Sequence, residues 1–73
     1  MKFRTESGTL YEIDGDRVRR MENEEELRRD GEWITLLETP LIFVGYPAVL
    51  LLDLRQDGIP TTRRTSHVTE IWA

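Results

Sequence analysis

Closely spaced turn signals are the feature that most constrains how this chain can fold. Five glycines and three prolines in 73 residues divide most of the chain into short segments, which favour strands joined by tight turns over long helices. The chain has no cysteine and one histidine, so disulfides and thiolate ligands are excluded and a zinc site is not expected. A domain this small buries only about 60% of its unfolded surface. Its stability must therefore come from packing, and we expect self-association to contribute.

The first 21 residues predict a three-stranded meander. Residues 2–5 and 9–13 alternate between polar and apolar side chains, which is the period of a half-buried strand. Asp14 and Gly15 indicate a hairpin turn of type I′, in which both central residues need a positive φ. Residues 17–21 then form the return strand. The side chains predicted to share a face within each of the first two strands are Phe3 and Thr5, and Thr9, Tyr11 and Ile13.

The segment that follows is strongly charged and has two interpretations. Asn23 and Glu26 have the spacing of a capping box, and Gly31 stands where a helix would end in the left-handed conformation. These signals favour one short surface helix near residues 23–30. A charged loop fits nearly as well, because short helices are marginal in water.

Most of the apolar residues lie between residues 33 and 54. Residues 33–37 predict a strand, and residues 41–44 form an unbroken apolar run. Residues 48–54 are also continuously apolar, which predicts a strand covered on both faces, at the centre of a barrel or in an interface. Residues 55–62 predict a turn or a flexible loop. Residues 64–72 are rich in β-forming residues and predict the closing strand.

These segments predict an all-β fold over residues 1–73, a single small domain. Five to six short strands suggest an SH3-like barrel or roll. A flat sheet would leave two long open edges, which closure or edge-to-edge dimerisation would remove. In so small a domain most of the remaining large aromatic residues are expected in the core. These residues are Trp33, Phe43, Tyr46 and Trp72.

Charge and hydropathy limit the kinds of partner that this chain can bind and the cellular compartment in which we expect it. Ten basic and 14 acidic residues give a net charge of −4, which argues against general nucleic-acid binding. Polar residues from Lys2 onward do not resemble a signal peptide. The apolar stretch at residues 41–52 is too short to span a bilayer. We therefore expect a cytoplasmic protein without a membrane partner.

No group of residues predicts catalysis, a metal or a cofactor. Glu12, Asp14 and Asp16 lack the spacing of a calcium loop and are interpreted as parts of a hairpin. Ser66 and His67 are adjacent on a predicted strand, so their side chains point to opposite faces and cannot act as nucleophile and base. The chain also has little room for a pocket of the usual ~300 Å³. We expect a protein that is not an enzyme.

Several segments, in order along most of the chain, resemble a family of small actinobacteriophage proteins. They are residues 3–14, 18–20, 31–33, 39–49, 64–65 and 68–71. The function of that family is unassigned, so the resemblance transfers no catalytic or binding residue. It implies a phage accessory protein made in the cytoplasm of a bacterial host, where a small non-enzymatic protein would act by binding a host or phage protein.

The first functional hypothesis is a protein-binding module that self-associates. The apolar region around residues 41–54 exceeds what one small barrel can enclose. Trp72 either docks onto its own barrel, the interpretation we favour, or anchors a partner. The candidate partner-binding residues are Phe43, Tyr46, Leu51 and Trp72.

The alternative hypothesis is a nucleic-acid-associated regulator. Arginines that converge beside Tyr11, Trp33 or Trp72 could follow a phosphate backbone while the aromatic rings stack on bases. The excess of acidic residues favours ion pairing of these arginines instead. The candidate nucleic-acid residues are Arg17, Arg19, Arg20, Arg63 and Arg64.

Overall fold

A computed structural model describes residues 1–22 and 31–73 of the chain, with the side chain of Glu22 not included. The described residues form six strands and no helix, so the predicted all-β class is confirmed. The prediction of a helix or a charged loop near residues 23–30 lies outside the described residues. The strands are β1 (Lys2–Thr5), β2 (Leu10–Asp14), β3 (Arg17–Glu22), β4 (Ile34–Thr35), β5 (Pro47–Leu52) and β6 (Thr61–Trp72).

The strands form one curled antiparallel sheet of the barrel or roll type, in the order β4-β3-β2-β1-β6-β5. β4 and β5 are its two edge strands, and the backbone at and just after β4 bonds to the end of β5 and the residue that follows it. There the Leu37 N–H donates to the Leu51 carbonyl at 2.8 Å, and the Asp53 N–H donates to the Thr35 carbonyl at 2.9 Å. These bonds bring the sheet ends together and satisfy part of the backbone that a flat sheet would leave open.

The predicted meander of β1, β2 and β3 is confirmed, while its hairpin turn differs from the prediction. Asp14 pairs with Arg17, so Gly15 and Asp16 are the central residues of the turn. Gly15 has a φ of +61° and Asp16 does not have a positive φ. One positive φ at the first central position is typical of type II′, so the type I′ prediction was wrong.

The core lies inside the curl of the sheet. Phe3 stacks on Tyr11 with ring centroids 4.9 Å apart, and alternate residues of β5 complete the packing. β1 and β5 therefore each bury one face, as the period of two requires. The buried cluster comprises Phe3, Tyr11, Val18, Ile34, Leu36, Ala48, Leu50, Leu52 and Val68.

The apolar half of the chain departs from the predicted strand pattern. The strand predicted at residues 33–37 is only two residues long, with an isolated bridge at Leu36. β5 ends at Leu52, and β6 begins at Thr61, within the segment predicted as a loop. A bulge between β1 and β6 interrupts the alternation predicted for residues 64–72.

The prediction that the remaining large aromatics are mostly core was wrong. Phe43 is 58% exposed and Tyr46 is 66% exposed. Trp33 is partly exposed, and Trp72 is 39% exposed. The core cluster consists of Phe3, Tyr11 and aliphatic side chains, and none of these four rings belongs to it.

Candidate functional site

β5 carries apolar side chains on both of its faces, but only one face is covered. Leu50 is fully buried and its neighbour Val49 is 48% exposed. Pro47 and Leu51, on the same side as Val49, are partly exposed. Within one chain this segment is covered on one face only, so the predicted position at the centre of a barrel is wrong, while the alternative position in an interface stays a prediction. The sheet is a single layer, and among the described residues nothing packs across the outer face of β5 closely enough to bury it.

A groove of about 330 Å³ lies along this outer face. One wall is the stretch that follows β4, which includes Pro40 and Leu41, and the other is β5. Leu41 is 77% exposed. The sequence-based expectation that a chain this small has little room for such a pocket was wrong, because the groove lies outside the core and not within it. Its lining consists of Glu38, Thr39, Pro40, Leu41, Pro47, Val49 and Leu51.

The segment between the two walls of the groove forms a fixed turn. The Gly45 N–H donates to the Val68 carbonyl at 2.8 Å, and the Val68 N–H donates to the Tyr46 carbonyl at 2.9 Å. Gly45 has a φ of +92°, which glycine adopts without strain. The backbone is thus tied to β6 while the side chains of Phe43, Val44 and Tyr46 are mostly exposed.

We call the groove and this turn together the apolar surface. Its exposed apolar members are Leu41, Phe43, Val44, Tyr46 and Val49, and its partly buried ones are Pro40, Pro47 and Leu51. No charged residue occurs between positions 39 and 52.

Three of the four candidate partner-binding residues lie on the apolar surface. Phe43 and Tyr46 belong to the turn, and Leu51 lines the groove. Trp72 does not line the groove. Its backbone is docked, because it pairs with Lys2 of β1, but its side chain stays outside the core cluster. Sequence reasoning missed Leu41 and Val49. A period of two over residues 47–52 would have placed Val49 on one face with Leu51, whereas Leu41 lies outside every strand and carries no such signal.

The predicted arginines come together only in part. Arg17 and Arg19 lie over the ring of Trp33, with guanidinium carbons 5.3 Å and 4.6 Å from its centroid. Each also meets a carboxylate. The Arg19 Nε donates to Glu12 Oε1 at 2.8 Å, and Arg17 lies 3.8 Å from Asp14. The positive charges beside the ring are therefore largely compensated.

The other candidate arginines lie elsewhere. Arg20 is buried, with 6% of its surface exposed. Arg63 and Arg64 are on β6, which is separated from β3 by two strands in the sheet. Arg64 is opposite Val49 in the ladder and shares its outer face. The structure thus brings two of the five candidate arginines to one aromatic ring.

The residues considered for catalysis and metal binding have structural partners. The Ser66 hydroxyl donates to the Ser7 hydroxyl at 3.3 Å. His67 Nδ1 lies 3.2 Å from the Glu6 carboxylate, with its side chain 55% exposed. Glu12 and Asp14 pair with the arginines named above. The described part of the chain contains no helix with the length and apolarity needed to cross a membrane.

Comparison of this chain with protein families, with curated proteins and with solved structures finds no match.

Proposed function

We propose that this protein is a non-enzymatic interaction module that binds another protein through the apolar surface. The observation that carries the proposal is a set of apolar side chains, 48–77% exposed, on a backbone tied to the sheet. In the setting that the phage resemblance implies, the partner is a host or phage protein in the host cytoplasm.

The chemistry of the surface supports a protein partner over a small charged ligand. Removing apolar groups from water is worth roughly 25 cal/mol per Å². Phe43 and Tyr46 are large side chains of the type that dominates interface energies. The turn that carries them is already ordered, because Gly45 and Tyr46 bond to Val68 and the Tyr46 N–H donates to the Phe43 carbonyl. Binding therefore loses less conformational entropy than ordering a free loop would.

We further propose that the fold is an SH3-like barrel, which would suit this role. Small barrels of that type bind extended polypeptide segments in shallow apolar grooves. The groove beside β5 is open along the strand and lined mainly by proline, leucine and valine side chains.

The test is affinity capture from a bacterial lysate, with and without nuclease, read by mass spectrometry. Leu41→Asp places a carboxylate on the most exposed apolar residue of the surface, where the fold is least affected. Ile59→Asp is the matched control, because Ile59 is 51% exposed and does not line the groove. We expect a stoichiometric protein that survives nuclease, is retained by the control and is lost with Leu41→Asp. Equal recovery with both variants would contradict the proposal.

A second candidate function, nucleic-acid association, rests on the stacking of Arg17 and Arg19 on Trp33. The acidic partners of both arginines weigh against it. Charge reversal at Arg17 and Arg19 tests it better than reversal at Arg20, which is buried. Recovery that disappears with nuclease and with this reversal would favour nucleic acid, and its salt dependence would be steep.

A further inference from the structure

We infer that the occupant of the apolar surface is a second copy of this chain, related to the first by a two-fold axis, with Glu38 of each copy facing Arg64 of the other. This inference rests on the proposed function and narrows it: of the host or phage proteins that the proposal allows, the one that occupies the apolar surface is the chain itself, and a foreign protein captured through the same surface would have to displace it. Three properties of the surface point to a copy of the same chain: its area, its shape and the charges around it.

The area matches what a stable dimer needs. An aromatic side chain contributes about 150–250 Å² and a leucine or valine less, so the five exposed members, which are 48–77% exposed, present on the order of 500 Å² of apolar area. A standard interface buries about 800 Å² per partner, of which roughly 65% is apolar in homodimers. The apolar surface therefore supplies about the apolar area that one side of a homodimer requires.

The surface combines a groove with a neighbouring turn that carries exposed aromatic side chains. It carries a depression, the groove of about 330 Å³, and next to it in the chain a turn with two exposed aromatic side chains, Phe43 and Tyr46. A two-fold contact presents the same surface on both sides. The turn of each copy can then enter the groove of the other, so that both grooves are filled at once.

The charges around the surface favour a copy over an unrelated charged partner. The chain carries a net charge of −4, so two copies repel unless they meet where charge is absent. Residues 39–52 are uncharged. A strongly basic partner would instead require acidic residues across the surface, and Glu38 is the only one among its lining residues.

Two unpaired charges of opposite sign lie at the rim. Glu38 lines one wall of the groove, and Arg64 is beside Val49 of the other wall. Both are exposed, and neither takes part in an ion pair among the described residues. A two-fold contact forms the Glu38–Arg64 pair twice, once on each side of the axis, and so gives each residue one partner of opposite charge. These two pairs fix the orientation of the two copies.

The experiment is sedimentation equilibrium of the full chain over a range of concentrations, with circular dichroism to verify folding. We expect a mass of twice 8.6 kDa for the wild type and for Ile59→Asp. The dimer of Leu41→Asp should dissociate at concentrations about tenfold higher or more, because it would bury an unpaired carboxylate. Val49→Asp should also weaken the dimer, because its carboxylate lies opposite Arg64 of the same chain and would compete with Glu38 of the other copy. A wild-type chain that stays monomeric, or a dimer that both variants leave unchanged, would overturn the inference.

A charge swap tests the two-fold arrangement itself. Glu38→Arg and Arg64→Glu should each weaken the dimer several-fold, and the double variant E38R/R64E should restore it, since the pairs reform with reversed polarity. A double variant weaker than either single one would overturn the arrangement.

The two proposals fail in different ways. A monomeric wild type that still captures a foreign protein through Leu41 contradicts the second copy and leaves the proposed function intact. Surface variants that alter neither the mass nor the capture contradict both.

Discussion

The strand that presents the apolar surface is held at its start by one buried hydroxyl. β6 has two residues, Thr65 and Ser66, opposite Ala48 of β5. This bulge displaces the ladder, and the Ala48 N–H donates to Thr65 Oγ1 at 2.9 Å instead. Thr65 is 9% exposed and its hydroxyl donates onward to the Ser66 carbonyl at 2.7 Å. The hydroxyl therefore satisfies a donor that water cannot reach.

We expect Thr65→Val to destabilise the fold by about 1–3 kcal/mol, the cost of a buried donor without an acceptor. In a domain of this size each kcal/mol lowers Tm by roughly 4–8 °C, so Tm should fall by roughly 4–24 °C. Valine keeps the volume and β-branching of threonine, so packing and strand propensity change little. Thr65→Ser is the control, because it keeps the hydroxyl and loses one methyl group, worth about 1 kcal/mol or less.

The assay is urea unfolding followed by far-UV circular dichroism. All variants are compared at one protein concentration, because self-association would make the midpoint depend on concentration. We expect the order wild type, Thr65→Ser, Thr65→Val in decreasing stability, with unchanged m values. A valine variant at least as stable as the serine variant would refute the role of the hydroxyl.

Three further predictions test the core, the hairpin and the arginine cluster. In chemical denaturation, Leu50→Ala should lower the free energy of unfolding by about 2–5 kcal/mol, because Leu50 is 0% exposed. Val49→Ala should lower it by under about 1 kcal/mol, because Val49 is 48% exposed. Equal losses would contradict the assignment of these neighbours to opposite faces. Gly15→Ala should cost about 1–2 kcal/mol in Tm measurements, because its φ is +61°, whereas Asp16→Ala should cost less. Trp72→Phe leaves Trp33 as the fluorescent tryptophan of the chain. In this background, Arg19→Met should change the Trp33 fluorescence and lower the free energy of unfolding by about 1 kcal/mol. The control Arg64→Met should leave the Trp33 fluorescence unchanged.

The meander was predictable because its signals are local. A strand of period two, a two-residue turn and a returning strand depend on residues that are close in the chain. The turn type was less predictable, because Asp-Gly occurs in more than one hairpin register. The pairing of Asp14 with Arg17 moved the turn by one residue and left a positive φ only at Gly15.

The candidate site was predictable in part. An excess of apolar residues over the capacity of a small core pointed to the region around residues 41–54 and to Phe43, Tyr46 and Leu51. The groove itself depends on the stretch after β4 lying beside β5, residues that the sequence separates by a turn. The period of two in β3 separates Arg17 and Arg19 from Arg20, which shares the buried face of Val18. The meeting of Arg17 and Arg19 with Trp33 could not be predicted from spacing, because it depends on the pairing of β4 with β3.

The sequence by itself determined the fold class and the location of most strands, because alternation and turn chemistry act over a few residues. Only the tertiary structure decided which apolar residues are core. A continuous run such as residues 48–52 has the same pattern whether one face or both are covered. Here β5 lies at the end of a single curled layer, so the sheet buries Ala48, Leu50 and Leu52 and leaves Val49 exposed to solvent.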